Sequence, residues 1–137
     1  MAVISAEELE DQAELSYIRG TYEVALLDSE ETFDQTVVIG DIVADEVVAG
    51  TGGYARLTFT YDAADIAAYS NGQPLSQKIA NFVHDGSSED IVFTHVALIR
   101  NVGGTRTVVG VESVGSTAVL SNGETAAVNI NLLHGRP

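Results

Sequence analysis

The sequence predicts an all-β protein, an antiparallel β-sandwich of jelly-roll or immunoglobulin-like type with a short N-terminal α-helix. Three observations lead to this prediction. Short strand-like segments alternate with turns rich in glycine and asparagine, no strand–helix–strand repeat occurs, and the 137 residues are 45% hydrophobic and 19% charged. This pattern favours antiparallel strands, and the length suits one hydrophobic core. We therefore expect a helical segment over 1–20 and a single β-sandwich domain over 21–137.

The N-terminal segment, residues 5–19, has the signals of a short helix. Ser5 and Glu8 have the spacing of a capping box, and acidic residues in the first turn suit the positive end of the helix dipole. Gly20 is expected to end the helix. Its apolar stripe is thin, so we expect the helix to dock on the larger domain.

A period of two begins after Gly20 and predicts the strands of the first half of the chain. The strand-like segments are Tyr22–Leu27, Thr36–Ile39, Asp41–Val48 and Tyr54–Tyr61, separated by the polar loop Asp28–Gln35 and the break Gly50–Gly53. In the last of them, alternation places four side chains on the core face: Ala55, Leu57, Phe59 and Tyr61.

The most apolar run, Ile91–Arg100, predicts a central strand that is covered on both faces. Alternation assigns its large side chains to two faces, with Val92, Val96 and Leu98 on one and Phe93, Ala97 and Ile99 on the other. Further strands are expected at Ile79–Val83, Thr105–Ser113, Thr117–Leu120 and Thr125–Leu132. Asn101–Gly104 and Asn122-Gly123 predict hairpin turns, Asp85–Ser88 predicts a turn, and 62–76 has weak helical or loop character.

The charge balance excludes several classes of partner. Twenty acidic residues against six basic ones give a formal net charge of -14, whereas nucleic acids and anionic membranes need a basic face. Thirteen of the twenty acids lie at or before Glu46. Without cysteine, disulfides, thiolate catalysis and cysteine-based metal sites are excluded. No apolar run approaches the length of a membrane span, and we expect no signal peptide.

The three histidines, His84, His95 and His134, are the only candidates for a general base or an imidazole ligand. His95 lies inside the predicted central strand, where we expect a buried histidine bonded to a backbone group. His84 borders a turn, and His134 lies in the C-terminal tail. No two histidines have the spacing that sets two zinc ligands on one face.

The acidic residues and serines provide no recognisable catalytic motif. The carboxylate pairs Glu30/Glu31, Asp45/Glu46 and Glu89/Asp90 are expected to be solvated surface, since two catalytic carboxylates must converge across a cleft. The segment Asp28–Asp34 lacks the sixth-position glycine of an EF-hand loop and has Ile39 where the bidentate acid belongs; an irregular calcium site stays open. We therefore predict no catalytic, cofactor-binding or metal-binding residues, and a protein that is not an enzyme.

Arg56 is one of six basic residues and lies in a predicted strand next to Tyr54. One interpretation is an ion pair within the chain, with the acidic first half. The other is a salt bridge between subunits, because arginine binds carboxylates well at interfaces.

Five short motifs follow one another in an order that resembles a family of small bacteriophage virion proteins, labelled tail fibre or virion structural proteins. The motifs are Gly52–Arg56, Phe93–Ile99, Gly103-Gly104, Val108–Gly110 and Ser121–Thr125. The resemblance spans residues 21–132, with Glu124 where the family has aspartate in its last turn, and it leaves 5–19 and 28–50 unmatched. It implies a virion protein without catalytic residues.

The sequence therefore predicts a non-enzymatic structural protein of a phage particle, in the tail or tail-fibre appendage. Its expected partners are other virion proteins and further copies of itself as a homo-oligomer. A capsid decoration or cement protein is the alternative within this class. A carbohydrate-binding module that recognises a host surface glycan is the alternative from another class, with Tyr54, Tyr61 and Tyr69 as a candidate platform. An acidic mimic of DNA is a third possibility.

Overall fold

The chain folds mainly into antiparallel β-structure. The computed structural model describes residues 3–4, 20–60 and 79–129. Several sequence predictions lie outside the described residues: the helix over 5–19, the segment 62–76, Tyr61, Tyr69, His134 and the last strand beyond Asn129. The strands are β1 (Val3–Ile4), β2 (Thr21–Leu27), β3 (Leu57–Phe59), β4 (Ile79–Val83), β5 (Ile91–Val102), β6 (Thr105–Leu120) and β7 (Thr125–Asn129).

The strands form two sheets. Five of them make an antiparallel sheet in the order β1-β6-β5-β2-β3, and β4 pairs with β7 in a separate two-stranded sheet. The inner face of β4–β7 presents Ala80, Phe82, Ala126 and Val128 to the core cluster that includes Val96 and Leu98. On the opposite face of the large sheet, Ala97 and Ile99 belong to a second cluster.

Strand β5 confirms the predicted central strand. It pairs with β2 from Thr21↔Asn101 to Leu27↔His95, and with β6 on its other side. One detail of the prediction was wrong. A bulge between Phe93 and His95 shifts the register, and Phe93 packs in the cluster of Val96 rather than in that of Ala97. An extra residue reverses the alternation beyond it, which a strict period of two cannot show.

The segment 36–48 contains a helix in place of the one or two predicted strand-like pieces. Helix α1 (Ile39–Asp45) lies in this segment, and Asp41 Oδ2 accepts the N–H of Val38 at 3.0 Å. Ile42 is fully buried against the cluster of Ala97 and Ile99, whereas Val43 is exposed. Burial on the sheet therefore outweighs the β-propensity of these branched residues.

The bounds of two further strands differ from the prediction. Strand β3 is only Leu57–Phe59, so that Ala55 is exposed and Tyr54 is buried. The two strands expected over 105–120 form one strand, β6. Strand β5 pairs with Ser113 of β6 and next with Ala118, and the residues of β6 between these two bulge outwards.

The Asn122-Gly123 turn forms as predicted, with positive φ at both residues, but it does not make a hairpin with β6. Strand β7, which follows this turn, pairs with β4 instead. There, Glu124 O accepts the N–H of His84 at 2.9 Å and extends the β4–β7 ladder. The first hairpin turn is confirmed. Gly103 and Gly104 have φ of 60° and 91°, the left-handed values that two-residue hairpin loops require.

Candidate functional site

Arg56 lies at the centre of a group of polar side chains beside β2. Its Nε and Nη2 bind the two carboxylate oxygens of Glu46 at 2.9 and 2.8 Å, and its Nη1 binds Glu23 Oε1 at 2.8 Å. The Tyr54 hydroxyl donates to Glu46 Oε2 at 2.6 Å. We call Glu23, Glu46, Tyr54 and Arg56 the Arg56 cluster. The interpretation of Arg56 as an ion pair within the chain is confirmed.

The Arg56 cluster completes the edge of β2 where β3 ends. Strand β3 pairs with β2 only as far as Val24. Beyond it, the N–H of Leu26 donates to the Tyr54 hydroxyl at 3.1 Å, and Leu26 O accepts the N–H of Val47 at 2.9 Å. A side chain and a loop thus satisfy backbone groups that would otherwise present an open strand edge.

The surroundings of the Arg56 cluster favour the charged forms of Glu23 and Glu46 and the neutral form of Tyr54. Burial alone would raise the pKa of Glu23, but hydrogen bonds from Arg106, Arg56 and Asn101 outweigh burial and lower it. For Glu46, burial is likewise outweighed by the hydrogen bonds from Arg56 and Tyr54, so its pKa is also lowered. Burial and the bond to Glu46 raise the pKa of Tyr54.

Of the two histidines that the structure describes, His84 is the buried one. It is 2% exposed, with Nε2 2.7 Å from Glu89 O, and its Nδ1 accepts the N–H groups of Gly86 and Gly123 at 2.9 and 3.3 Å. One neutral tautomer, protonated at Nε2, satisfies all three bonds. His84 therefore joins the end of β4 to the turns before β5 and β7, a structural role.

The prediction for His95 was wrong in its detail, because this histidine is half-buried and bonds a side chain. Its Nδ1 lies 2.8 Å from Thr94 Oγ1, and its ring packs edge-on against Phe33 at 5.2 Å. Burial lowers the pKa of His95, against a smaller opposing effect from Asp45. Local pattern does not indicate that His84 rather than His95 is the buried histidine, because His84 accepts one of its bonds from Gly123, which is distant in the sequence.

Members of two of the predicted carboxylate pairs lie together. Asp45, Glu46 and Asp90 line one open groove of about 380 Å³ with Asp28 and Val48, and Glu46 also belongs to the Arg56 cluster. Asp34 Oδ1 is occupied within its own turn by Thr36, through the backbone N–H at 2.9 Å and the hydroxyl at 2.6 Å. Within the described ranges, no group of three or more histidine and acidic residues has the arrangement of a metal site.

The two-stranded sheet has an outward surface that sequence reasoning missed. The outer face of β4–β7, as we call it, consists of residues that alternate with those of the core face: Ile79, Asn81, Val83, Thr125, Ala127 and Asn129. Ile79 and Val83 are 54% and 57% exposed. None of these side chains is charged, although the chain carries a net charge of -14. Ile79 and Val83 lie on either side of Asn81 on the same strand, and both are open to solvent.

The motifs that carry the family resemblance lie at structural positions. A Cβ on Gly52 would come within 2.8 Å of His84 Cδ2, so the close contact there requires glycine. Tyr54 and Arg56 belong to the Arg56 cluster, and Thr94 Oγ1 accepts the N–H of Ser29 at 2.9 Å. The resemblance therefore rests on residues that stabilise the fold.

Comparison of the chain with models of protein families, with curated proteins and with solved structures found no match. Among the helices in the described part of the chain, none has the length and apolar character needed to cross a membrane.

Proposed function

We propose that this chain is a non-enzymatic structural protein of a bacteriophage particle, in the tail or tail-fibre appendage, that acts by assembling with other virion proteins and with itself. The observation that carries the assembly function is the outer face of β4–β7, whose apolar side chains are exposed and uncharged. The assignment to a phage particle and to its tail rests on the family resemblance, which the order of the five motifs over residues 21–132 carries.

We further propose that the two sheets are the layers of a β-sandwich. The inner faces of the sheets share one hydrophobic cluster, in which Phe82 packs with Val96 and Leu98. Side chains from two inner faces make the core of sandwich folds.

The geometry does not favour the glycan-binding alternative. Carbohydrate platforms use exposed aromatic rings, but Tyr54 is 4% exposed and its hydroxyl is bonded to Glu46 and Leu26. Of the three platform tyrosines, it is the one that the structure describes. No comparable observation separates the tail from a capsid decoration protein, and the experiment below distinguishes the two locations.

The test is to purify particles of the phage that encodes the chain, identify their proteins by mass spectrometry, and locate the chain by immunogold electron microscopy. We expect the chain in the particles, with label on the tail or its fibres. Label distributed over the head would replace the tail assignment with capsid decoration. Particles that are intact and lack the chain by mass spectrometry would overturn the virion function.

A further inference from the structure

His84 is a titratable side chain enclosed at a place where four segments of the chain meet. Its ring is 2% exposed. It lies between the end of β4, the loop at Gly52, and the two turns that precede β5 and β7. A Cβ on Gly52 would lie 2.8 Å from His84 Cδ2, so the backbone of that loop packs directly against the ring and limits its movement. The hydrogen bonds of the ring therefore decide which form of the imidazole this junction accepts.

The bonds of His84 require an unprotonated Nδ1. The N–H groups of Gly86 and Gly123 both donate to this nitrogen, at 2.9 and 3.3 Å, while Nε2 lies 2.7 Å from Glu89 O. A neutral imidazole has one N–H group and one acceptor nitrogen, whereas the protonated form has two N–H groups and no acceptor. A proton on Nδ1 would thus break the bonds to both glycines, at a place where an unpaired buried charge is costly.

We propose that His84 is an acid-sensitive latch: with a neutral ring it holds the turn over 85–90 and the turn over 121–124 together, and uptake of a proton at Nδ1 releases the two turns from each other. Histidine suits this role because its charge changes between about pH 5 and 8. The ten residues of β4 and β7 include no titratable side chain, so the two strands stay paired while the turns at their end open. The latch is independent of the virion function proposed above.

The charged groups around His84 are all acidic. Four exposed acidic residues lie in the two turns: Asp85, Glu89, Asp90 and Glu124. The turns, the loop over 50–53 and strand β4 contain no basic residue. Asp85 and Glu124 already accept bonds from backbone N–H groups within their own turns. Because the four carboxylates are open to solvent, water and salt weaken their attraction for a protonated ring, and this attraction does not replace the two bonds that Nδ1 loses.

The latch makes hydrogen exchange depend on pH at two backbone positions. An exposed histidine takes up its proton near pH 6.5, so release of the turns gains about one proton below that pH. By linkage, the protection of the Gly86 and Gly123 N–H groups should then fall about tenfold per pH unit, after correction for the intrinsic pH dependence of exchange. The N–H groups of β5 should show no such slope. NMR hydrogen exchange of the full chain from about pH 8 to about pH 5 measures both.

His84→Asn separates the latch from the other titrating groups. The carbonyl oxygen of asparagine lies close to the position of Nδ1 and can accept the two glycine N–H groups, but it takes up no proton. This variant should protect these N–H groups less at neutral pH, because the bond to Glu89 O is lost, and its protection should not change with pH. His95→Asn and His134→Asn replace the other two histidines, and both should keep the slope of the wild type.

The wild-type chain provides a second measurement if His84→Asn does not fold. A long-range ¹H–¹⁵N spectrum at neutral pH should show His84 with a proton on Nε2 and none on Nδ1. Three results would overturn the latch: a neutral ring with its proton on Nδ1, protection of Gly86 and Gly123 that is constant over the whole pH range, or a slope that His84→Asn keeps or that either control variant removes.

Discussion

The edge of β2 contains paired charged side chains, whereas the outer face of β4–β7 contains none. At β2, two acids and an arginine are gathered inside the chain, and the Tyr54 hydroxyl satisfies the N–H of Leu26. At β4–β7, the side chains are uncharged and Ile79 and Val83 face outwards. The first region is completed by the chain itself, and for the second we propose a contact with another molecule. This difference teaches that the exposed strand edges and faces of the protein are not equivalent.

The largest effect is expected from Arg56→Met. It removes the three bonds to Glu23 and Glu46, so that the partly buried carboxylate of Glu46 loses its arginine while Glu23 keeps Arg106. Breaking a buried ion pair by removing one partner costs about 3 kcal/mol of the free energy of unfolding. Urea unfolding followed by circular dichroism measures this loss.

Arg106→Met is the matched control for that experiment. Arg106 also binds Glu23, at 3.1 Å through Nε, but it is much more exposed to solvent than Arg56. Its removal should cost no more than about 1 kcal/mol. Equal losses for the two variants would contradict the view that Arg56 organises the edge of β2.

Tyr54→Phe should have the next largest effect. The substitution keeps the buried ring but removes the hydroxyl, so that the N–H of Leu26 loses its acceptor and Glu46 loses a donor. An unsatisfied buried group costs about 2 kcal/mol. In a Glu46→Gln background the loss should be smaller, and a double-mutant cycle measures the coupling between the two side chains. Fully additive losses would show that the hydroxyl and the carboxylate act independently.

Acid should weaken the Arg56 cluster and spare the outer face of β4–β7. The pKa of Glu23 is lowered from the ordinary value of 4.5, against burial and through bonds from Arg106 and Arg56. The unfolded chain therefore takes up the proton first as pH falls. The stabilisation is complete above about pH 4.5 and is lost as pH drops towards the lower folded value. The outer face contains no titratable side chain.

Glu23→Gln measures this contribution. At neutral pH the variant should be less stable than the wild type by about 1 kcal/mol, and the difference should shrink below pH 4.5. Glu30→Gln, at an exposed position, controls for the general effect of removing one acid. A difference between wild type and Glu23→Gln that stays constant from pH 7 to acid would refute the linkage.

The sequence predicts the parts of the fold that depend on local pattern. Strand β4 was predicted with its exact ends, β2 began one residue earlier than expected, and the Gly103-Gly104 turn and central β5 were correct. The helix α1 was missed because its branched residues read as strand, and only burial of Ile42 on the sheet decides otherwise. The pairing of β7 with β4 joins residues that are distant in the sequence, and no local pattern shows it.

The site was less predictable than the fold. The sequence singles out Arg56 as a basic residue within a predicted strand. Only the positions of Glu23 and Glu46 decide between an ion pair within the chain and a salt bridge between subunits. The outer face of β4–β7 had one available signal, the absence of charge from 79–83 and 125–129. That signal has meaning only once the two segments are known to pair, because neither is long enough to form a surface alone.

The smallest effect on the isolated chain is expected from Val83→Thr. Val83 is 57% exposed, and surface substitutions of this kind change the free energy of unfolding by no more than about 0.5 kcal/mol. Val109→Thr is the buried counterpart, in the core cluster next to Leu98, and placing a hydroxyl there should cost about 2 kcal/mol. If Val83→Thr destabilises the monomer as strongly as Val109→Thr, the outer face is already in contact with the chain's own residues. If it leaves the free energy of unfolding unchanged, the outer face does not contribute to folding and is free for the proposed assembly contact.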